Sequence, residues 1–238
     1  MEITSTAFTA WSGGRFVRYG EPLDEARWLG LVQQAYANGI RTFITADVFG
    51  AGAADALLGE ALRAYPRDSY CLVGAIGHDI YCRGEADADG PPRFTHPDLR
   101  PPSEYADYLR RATEKSLERC RVDRFDVLLL QNPDATGFTS DRVWAGLERL
   151  VEADLTLRLG VAPGPGNGFA LDTILCFERF GSLIDHALLI LNPLEPQPGQ
   201  GILRAAVAQD ISVITRKVDA SGLLHEARRP DAPFILKT

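Results

Sequence analysis

Polar side chains directly follow two of the apolar runs in this sequence, where they could act on a small molecule. His78 and Asp79 are adjacent and could form an acid–base pair, although they could equally lie in a solvated loop. Gln131 and Asn132 follow a later apolar run. Their uncharged amides could orient a substrate carbonyl, or they could satisfy backbone groups at the end of a strand.

Arg216 is the cation best placed to recognise an anion. It ends the last apolar run and could bind a carboxylate or phosphate through two hydrogen bonds. The alternative is a surface ion pair with Asp219 or Glu195. Lys217 is the next residue, and adjacent residues of a strand point to opposite faces, so only one of the two cations can face a site.

Three further residues are candidates on side-chain chemistry alone. Asp47 could act in catalysis or simply cap the turn before Gly50. Trp11 and Tyr81 could form walls of a pocket, and the phenol of Tyr81 could donate a proton.

The composition is that of an ordinary globular protein and excludes several kinds of partner. The chain has 238 residues, 45% of them hydrophobic and 24% charged, with a formal net charge of -7. Acidic and basic residues are mixed, which argues against nucleic acid, because phosphate binding needs clustered Lys and Arg. No run is apolar enough to span a membrane and no signal peptide is recognisable, so we expect a cytoplasmic protein. The four cysteines and four histidines lack ligand spacing, which predicts no metal site.

Strand-like apolar runs alternate with helical patterns along the chain. Strands are predicted at 6–10, 41–46, 71–76, 125–130, 157–162, 187–191 and 212–216, and helices at 24–37, 53–64, 103–120, from 140, at 171–179 and at 201–209. Repeated β-then-α units imply parallel strands with right-handed crossovers. We therefore expect a single domain over residues 1–238, with a long loop around 77–102, that forms a TIM-type (β/α) barrel of about seven strands. Its chemistry would lie at the carboxyl ends of the strands.

Several motifs resemble those of the aldo-keto reductase family. Residues 39–50, GIRTFITADVFG, resemble the family's G-I-x-x-F-D-T-A-x-x-Y-G, and LGEAL at 58–62 matches its L-G-x-A-L. SLER followed by DRFDVLLL within 116–130, RLGV at 158–161 and GLL at 222–224 resemble later family motifs in the same order. The resemblance implies a barrel whose eighth strand is missing here.

The same resemblance implies that the family's acid–base residues are replaced. In that family a Tyr donates the proton to the carbonyl oxygen, assisted by a Lys, an Asp and a His. The matching positions here hold Phe49, Ala75, Ile44 and Gln131. Phe49 has no hydroxyl proton and Ala75 has no charge to lower a neighbouring pKa, so we expect the reductase mechanism to be lost.

The resemblance also bears on the cofactor and on the function. Where the family holds the nicotinamide amide with a Gln, this chain has Leu188, and Arg216 replaces a stacking aromatic residue. We therefore expect no cofactor, with NADPH as the alternative. The first expectation for function is a cofactor-independent, non-redox enzyme, such as an isomerase, lyase, dehydratase or cyclase, acting on a small organic molecule. The alternatives are a catalytically dead binding or regulatory protein and a truncated NAD(P)H-dependent oxidoreductase. A second copy or a partner would cover the open barrel edge.

Overall fold

Seven parallel strands form one curled sheet, and their order in the sheet follows their order in the chain. The computed structural model describes residues 2–10, 24–82, 90–220 and 223–224, and the structural statements below concern these residues. The strands are Ala7–Thr9 (β1), Thr42–Ile44 (β2), Cys71–Ile76 (β3), Val127–Gln131 (β4), Leu159–Ala162 (β5), His186–Ile190 (β6) and Ser212–Arg216 (β7). Because each neighbouring pair is parallel, each connection has to return by a crossover.

Helices provide those crossovers and cover the outside of the sheet. They are Glu25–Ala37 (α1), Ala53–Leu62 (α2), Tyr105–Cys120 (α3), Ala135–Thr139 (α4), Asp141–Glu152 (α5), Ala170–Phe180 (α6) and Gly199–Ala208 (α7). This arrangement confirms the predicted incomplete (β/α) barrel of seven parallel strands. None of the helices in the described part of the chain is long and apolar enough to cross a bilayer.

Alternation along the strands divides the apolar residues between two cores. Phe43 and Leu128 point outward and pack with helix residues such as the fully buried Trp144. Ile44 and Leu129, their neighbours in sequence, belong to a second cluster inside the barrel. Burying each such side chain contributes about 1.5–3 kcal/mol. The strand alternation therefore determines which side chains can reach the barrel mouth.

Local capping explains where two of the helices begin. The Asp24 carboxylate accepts a hydrogen bond from the backbone N–H of Arg27 at 2.8 Å, as expected for the residue that caps α1. Ser140 occupies the capping position of α5, but its side chain makes no capping hydrogen bond. The short helix α4 was missed by the sequence analysis, although Asp134 caps it through the N–H of Gly137 at 2.8 Å.

The segment that follows β3 is irregular but packed. Between residues 90 and 100 it contains turns, bends and a bridge that joins Arg93 to His78. Phe94 is buried, and its ring stacks on Tyr108 of α3 at 5.1 Å between centroids. An ion pair between Arg100 and Asp79 holds the segment against the end of β3. Aromatic packing and this ion pair therefore give shape to a stretch that lacks regular hydrogen bonding.

Candidate functional site

The inner faces of the strands end in a mouth with a mostly apolar floor. Ile44, Ala75, Ala162, Leu188 and Ile214 belong to the inner cluster and lie at or near the carboxyl ends of their strands. Leu188 and Ile214 keep 8% and 9% of their surface exposed, the largest fractions among the buried members of that cluster. The floor is therefore partly open to a ligand and offers it no charge.

Gln131 brings a polar group to this floor. It is the last residue of β4, and it alternates with Val127 and Leu129, whose side chains both pack inside the barrel. Its side-chain amide makes no hydrogen bond to another described residue, although Gln131 is only 6% exposed. The amide can therefore donate to, or accept from, a ligand at the mouth.

The positions matched by resemblance to the family's acid–base residues cluster at the same end of the barrel. Ile44 and Ala75 line its interior, Gln131 ends β4, and the Phe49 ring packs against both the inner and the outer cluster. None of these four side chains can donate a proton at neutral pH. The lost acid–base function therefore stays a prediction that depends on the alignment of these positions.

Arg216 reaches across the mouth from the end of β7. Its Nη2 donates to the backbone oxygens of Pro163, at 3.0 Å, and Pro165, at 3.3 Å, in the segment after β5. Its Nε is buried and has no hydrogen-bond partner in the described part of the chain. Burial lowers the pKa of the guanidinium, and no neighbouring carboxylate opposes this shift. The alternative ion pair with Glu195 is not formed, because that carboxylate accepts from Asn192 at 3.1 Å.

His78 is held as a neutral imidazole beside Asn132. Its Nδ1 lies 2.7 Å from the carbonyl oxygen of Pro91, which can only accept, and 3.1 Å from Nη1 of Arg93, which can only donate. The shorter of these competing contacts, to Pro91, favours a proton on Nδ1. Nε2 is then an acceptor for Nδ2 of Asn132 at 3.2 Å. Burial, and next to it the charge of Arg93, lowers the pKa of His78 to about 4. His78 therefore orients Asn132 and is not poised to act as an acid at neutral pH.

Asp79 does not pair with His78. Its carboxylate forms the ion pair with Arg100 and accepts a hydrogen bond from the N–H of Tyr81 at 3.0 Å. The two neighbours thus serve different networks, and the acid–base pair considered from the sequence is not present in the structure.

Asp47 lies in a buried group of charged residues. It is fully buried close to Asp55 and Arg119, which lie between the sheet and the helices, and neither of its carboxylate oxygens has a hydrogen-bond partner among the described residues. Burial, and then the nearby charge of Asp55, raises the pKa of Asp47 well above its ordinary value. Asp47 is therefore a buried acid whose carboxylate makes no capping hydrogen bond within the described residues.

The nearby Asp55 is the centre of a network that the sequence analysis missed. Its carboxylate accepts from Thr45 at 2.7 Å, from Ser116 at 2.8 Å and from Arg119 at 2.9 Å. These partners lie up to 64 positions away in the sequence. The network ties β2, α2 and α3 together outside the barrel.

Tyr81 also lies outside the barrel mouth. Its hydroxyl accepts from Nη1 of Arg119 at 3.0 Å, and the ammonium of Lys115 lies 4.4 Å from its ring centre. These residues line a shallow groove of about 470 Å³ on the outside of α2 and α3, together with Ala56, Glu118 and Arg121. A phenol in this position cannot reach a substrate above Gln131. Trp11, the other residue suggested as a pocket wall, lies outside the described residues.

The structure therefore brings His78, Asn132 and Arg216 together, with Gln131 beside Asn132 at the end of β4, and places Tyr81 in the groove on the outside of α2 and α3. Their catalytic or binding roles remain predictions. No group of three or more potential metal ligands occurs within the residues that the structure describes.

Comparison with known proteins shows similarity to one family over almost the whole chain. The sequence profile of the aldo/keto reductase family matches residues 10–237. A 6-dehydroglucose reductase of Novosphingobium aromaticivorans is 33% identical over 178 residues, which cover 72% of this chain and 50% of that protein. A probable aldo-keto reductase of Glycine max is 29% identical over 146 residues, 60% of this chain and 37% of that protein. The chain thus spans half the length, or less, of these curated relatives.

Solved structures share the fold at low sequence identity. An aldo-keto reductase from Bacillus halodurans, in its holo form, superposes with a TM-score of 0.75 at 20% identity, covering 99% of this chain and 69% of that one. An aldo-keto reductase from Klebsiella pneumoniae in complex with NADP and acetate gives 0.68 at 17% identity, covering 94% and 68%. An aldo-keto reductase from Klebsiella pneumoniae in complex with NADPH also gives a TM-score of 0.68 at 17% identity, covering 94% of this chain and 67% of that one.

These complexes overturn the expectation that no cofactor is involved. That expectation depended on the residues at two positions, Leu188 and Arg216, whose replacement it treated as the loss of a nicotinamide site, and on the segments that bind the adenosine phosphate in the family, which it took to be missing here. It was wrong to infer this from the sequence alone, because relatives with the same fold are solved with NADP or NADPH bound. Neighbouring residues can also supply hydrogen-bonding groups that a single changed position has lost.

Proposed function

The chain belongs to the aldo/keto reductase family, and on that basis we propose that it is a nicotinamide-dependent oxidoreductase acting on a small carbonyl compound or the corresponding alcohol. The observation that carries the proposal is the Gln131 amide above an apolar floor at the barrel mouth, which forms no side-chain hydrogen bond to any described residue. The relatives' names, which are those of reductases, support redox chemistry. The non-redox enzyme expected first has no comparable support.

The residues at the mouth fit a nicotinamide ring. Ala75, Ala162 and Leu188 present an apolar surface on which a flat heterocycle can lie. Asn132 and Arg216 each keep one buried polar atom without a partner beside this surface. When bound, the nicotinamide would supply or accept the hydride.

Gln131 is the residue that we expect to act on the substrate. Its side-chain N–H can donate to the carbonyl oxygen and stabilise the negative charge that develops there. An amide does not titrate, and Phe49 has no hydroxyl, so neither can deliver the proton. The proton would then come from water admitted to the mouth, and we expect turnover to be slow.

Equilibrium binding and turnover test this proposal separately. NADPH and NADH would be titrated into the protein by fluorescence, and we expect one of them to bind with a dissociation constant on the order of 1 to 100 μM. Turnover would then be followed with a panel of aldehydes, ketones and alcohols. Absence of binding of both nucleotides at about 1 mM would overturn the proposal.

A second candidate function is a nicotinamide-binding protein without catalytic activity. The observation that favours it is that both ring nitrogens of the buried His78 already contact protein groups, and burial lowers its pKa to about 4. The same titration separates the two candidates, because the inactive protein binds the nucleotide but turns over none of the panel.

A further inference from the structure

Two buried atoms at the barrel mouth have opposite hydrogen-bonding character and no partners. Asn132 Oδ1 can only accept a hydrogen bond, whereas the N–H at Nε of Arg216 can only donate one. Both atoms are buried and unpaired among the described residues. The Asn132 side chain is more than nine-tenths buried as a whole, since the residue is 8% exposed. Burying unpaired polar atoms is unfavourable, which points to a ligand that supplies both missing groups.

The orientation of the Asn132 amide is determined by His78. The contact of His78 Nδ1 with the Pro91 carbonyl, at 2.7 Å, is shorter than its contact with Nη1 of Arg93, at 3.1 Å, and favours a proton on Nδ1, so that Nε2 accepts from Nδ2 of Asn132 at 3.2 Å. The oxygen of the same amide must then point the other way, toward Gly164. His78 is thus a positioning residue that presents an acceptor to the mouth.

Arg216 reaches the same place from the opposite side of the barrel. Its Nη2 is held by the carbonyls of Pro163 and Pro165. A Cβ on Gly164 would lie 2.5 Å from Asn132 Oδ1 and 2.6 Å from Arg216 Nη2. The two side chains therefore approach each other across Gly164, and any larger residue would fill the space between them.

A donor and an acceptor side by side are complementary to a primary amide. We propose that Asn132 and Arg216 bind the carboxamide of the nicotinamide ring, with Oδ1 accepting from its NH₂ and Nε–H donating to its carbonyl oxygen. This inference rests on the proposed function. It assigns amide recognition to two residues outside the position of Leu188, whose side chain cannot form hydrogen bonds. Both atoms are buried, and Nη2 of Arg216 is held by the carbonyls of Pro163 and Pro165, so we infer that residues 163–165 shift away from Arg216 when the amide enters.

An analogue that lacks the amide NH₂ tests the proposal without any mutation. In the 3-acetylpyridine analogue of NADP a methyl group replaces the NH₂, so only the contact with Asn132 is lost. We expect the wild-type protein to bind NADP about tenfold more tightly than the analogue, as measured by fluorescence titration. Equal affinity for the two nucleotides would overturn the inference and leave the proposed function intact. If NAD is the nucleotide that binds, the same comparison is made with the 3-acetylpyridine analogue of NAD. Failure of NADP, NAD and both analogues to bind would overturn the inference and the proposed function together.

Variants of Asn132 and Arg216 show which residue causes the preference for NADP over its analogue. Asn132 has a φ of +46°, so Asn132→Gly removes the acceptor in a backbone conformation that glycine tolerates. This variant should bind NADP and the analogue equally. Arg216→Met should lower the affinity for NADP and for the analogue alike, because both nucleotides keep the carbonyl oxygen. Arg204→Met, an exposed arginine on α7, is the matched control and should keep the wild-type preference. A full preference in Asn132→Gly would contradict the assignment.

Discussion

Asn132 Nδ2 lies 3.2 Å from Nε2 of His78, and this contact joins the ends of β4 and β3 at the barrel mouth. The hydrogen bond exists only while the imidazole is neutral, because a protonated ring has no acceptor. The orientation of the Asn132 amide at the mouth therefore depends on the charge of a single buried histidine.

Acid should destabilise the protein through His78. Its pKa falls from 6.5 to about 4 in the folded state, so its contribution is fully present above pH 6.5 and is lost as the pH falls toward 4. The loss amounts to up to about 3 kcal/mol. Urea denaturation at several pH values, in the wild type and in His78→Gln, would measure it. If the free energy of unfolding had the same pH dependence in the wild type and in His78→Gln between pH 7 and pH 4, the prediction would be contradicted.

Asp47 should destabilise the protein at neutral pH. Its folded-state pKa is raised well above 3.8, so the stability it contributes is present below that value and is lost as the pH rises through the folded-state pKa. Asp47→Asn removes the charge without changing the shape of the side chain. We expect it to raise the free energy of unfolding at pH 8 by on the order of 1 kcal/mol or more, and by less at pH 4. A variant that is less stable at both pH values would show that Asp47 has a partner when ionised.

The network around Asp55 should be essential for stability. Asp55→Ala leaves Thr45, Ser116 and the Arg119 guanidinium without their shared acceptor, and breaking a buried ion pair in this way costs about 3–5 kcal/mol. The matched control is Asp141→Ala, which breaks an exposed ion pair with Arg179. That change should cost less than about 1 kcal/mol. If thermal or urea denaturation showed similar losses of stability in Asp55→Ala and Asp141→Ala, the prediction that the buried network matters more than the exposed ion pair would be wrong.

Gln131 should affect catalysis more than nucleotide binding. If its amide stabilises the developing negative charge, Gln131→Leu lowers kcat by about 10²-fold or more while the nucleotide affinity is unchanged. Gln131→His restores a group that can donate when protonated, so its kcat should rise as the pH falls below about 6.5. Steady-state kinetics on the best substrate of the panel, combined with fluorescence titration, separates the two effects. Loss of nucleotide affinity in Gln131→Leu would place this residue in the cofactor site instead.

The open edges of the barrel should promote self-association. Among the described residues β1 and β7 each pair with one neighbour only, and unpaired strand edges attract further strands. Exposed apolar side chains are frequent near β7, where Val207 is 71% exposed and Val218 is 58% exposed. We therefore propose a homodimer that covers this edge, and light scattering should show twice the monomer mass. Val207→Lys should shift the mass toward the monomer, whereas a wild-type monomer at high concentration would refute the proposal.

The fold could be predicted largely from local patterns. Apolar runs bounded by turn residues placed β3 and β7 at the residues where the structure has them, and the other strands differ by one or two residues at one or both ends. Helix α4 could not be predicted in the same way, because five residues are too few to show a helical period. Asp134, which caps it, was the available signal.

The site could be predicted only in part. The rule that chemistry lies at the carboxyl ends of barrel strands correctly grouped Gln131, Asn132 and Arg216 at one end of the sheet. It could not tell that Asp47 is buried close to Asp55 and Arg119, or that Tyr81 packs on the outside of α3. Those positions depend on tertiary packing, which no local pattern encodes.

What the sequence determined by itself was the periodicity that builds seven strand–helix units and the motifs that indicate the family. What only the tertiary structure decided was which polar groups meet. Arg216 and Pro163 are 53 positions apart, and Arg119 and Asp55 are 64 apart. The physical reason is that the buried face of a strand or helix is marked by apolar residues at a regular spacing in the sequence. Hydrogen bonds and ion pairs instead need two groups within about 3 Å of each other in space. The protonation of His78, the orientation of Asn132 and the hold of Arg216 on the segment after β5 all depend on such encounters.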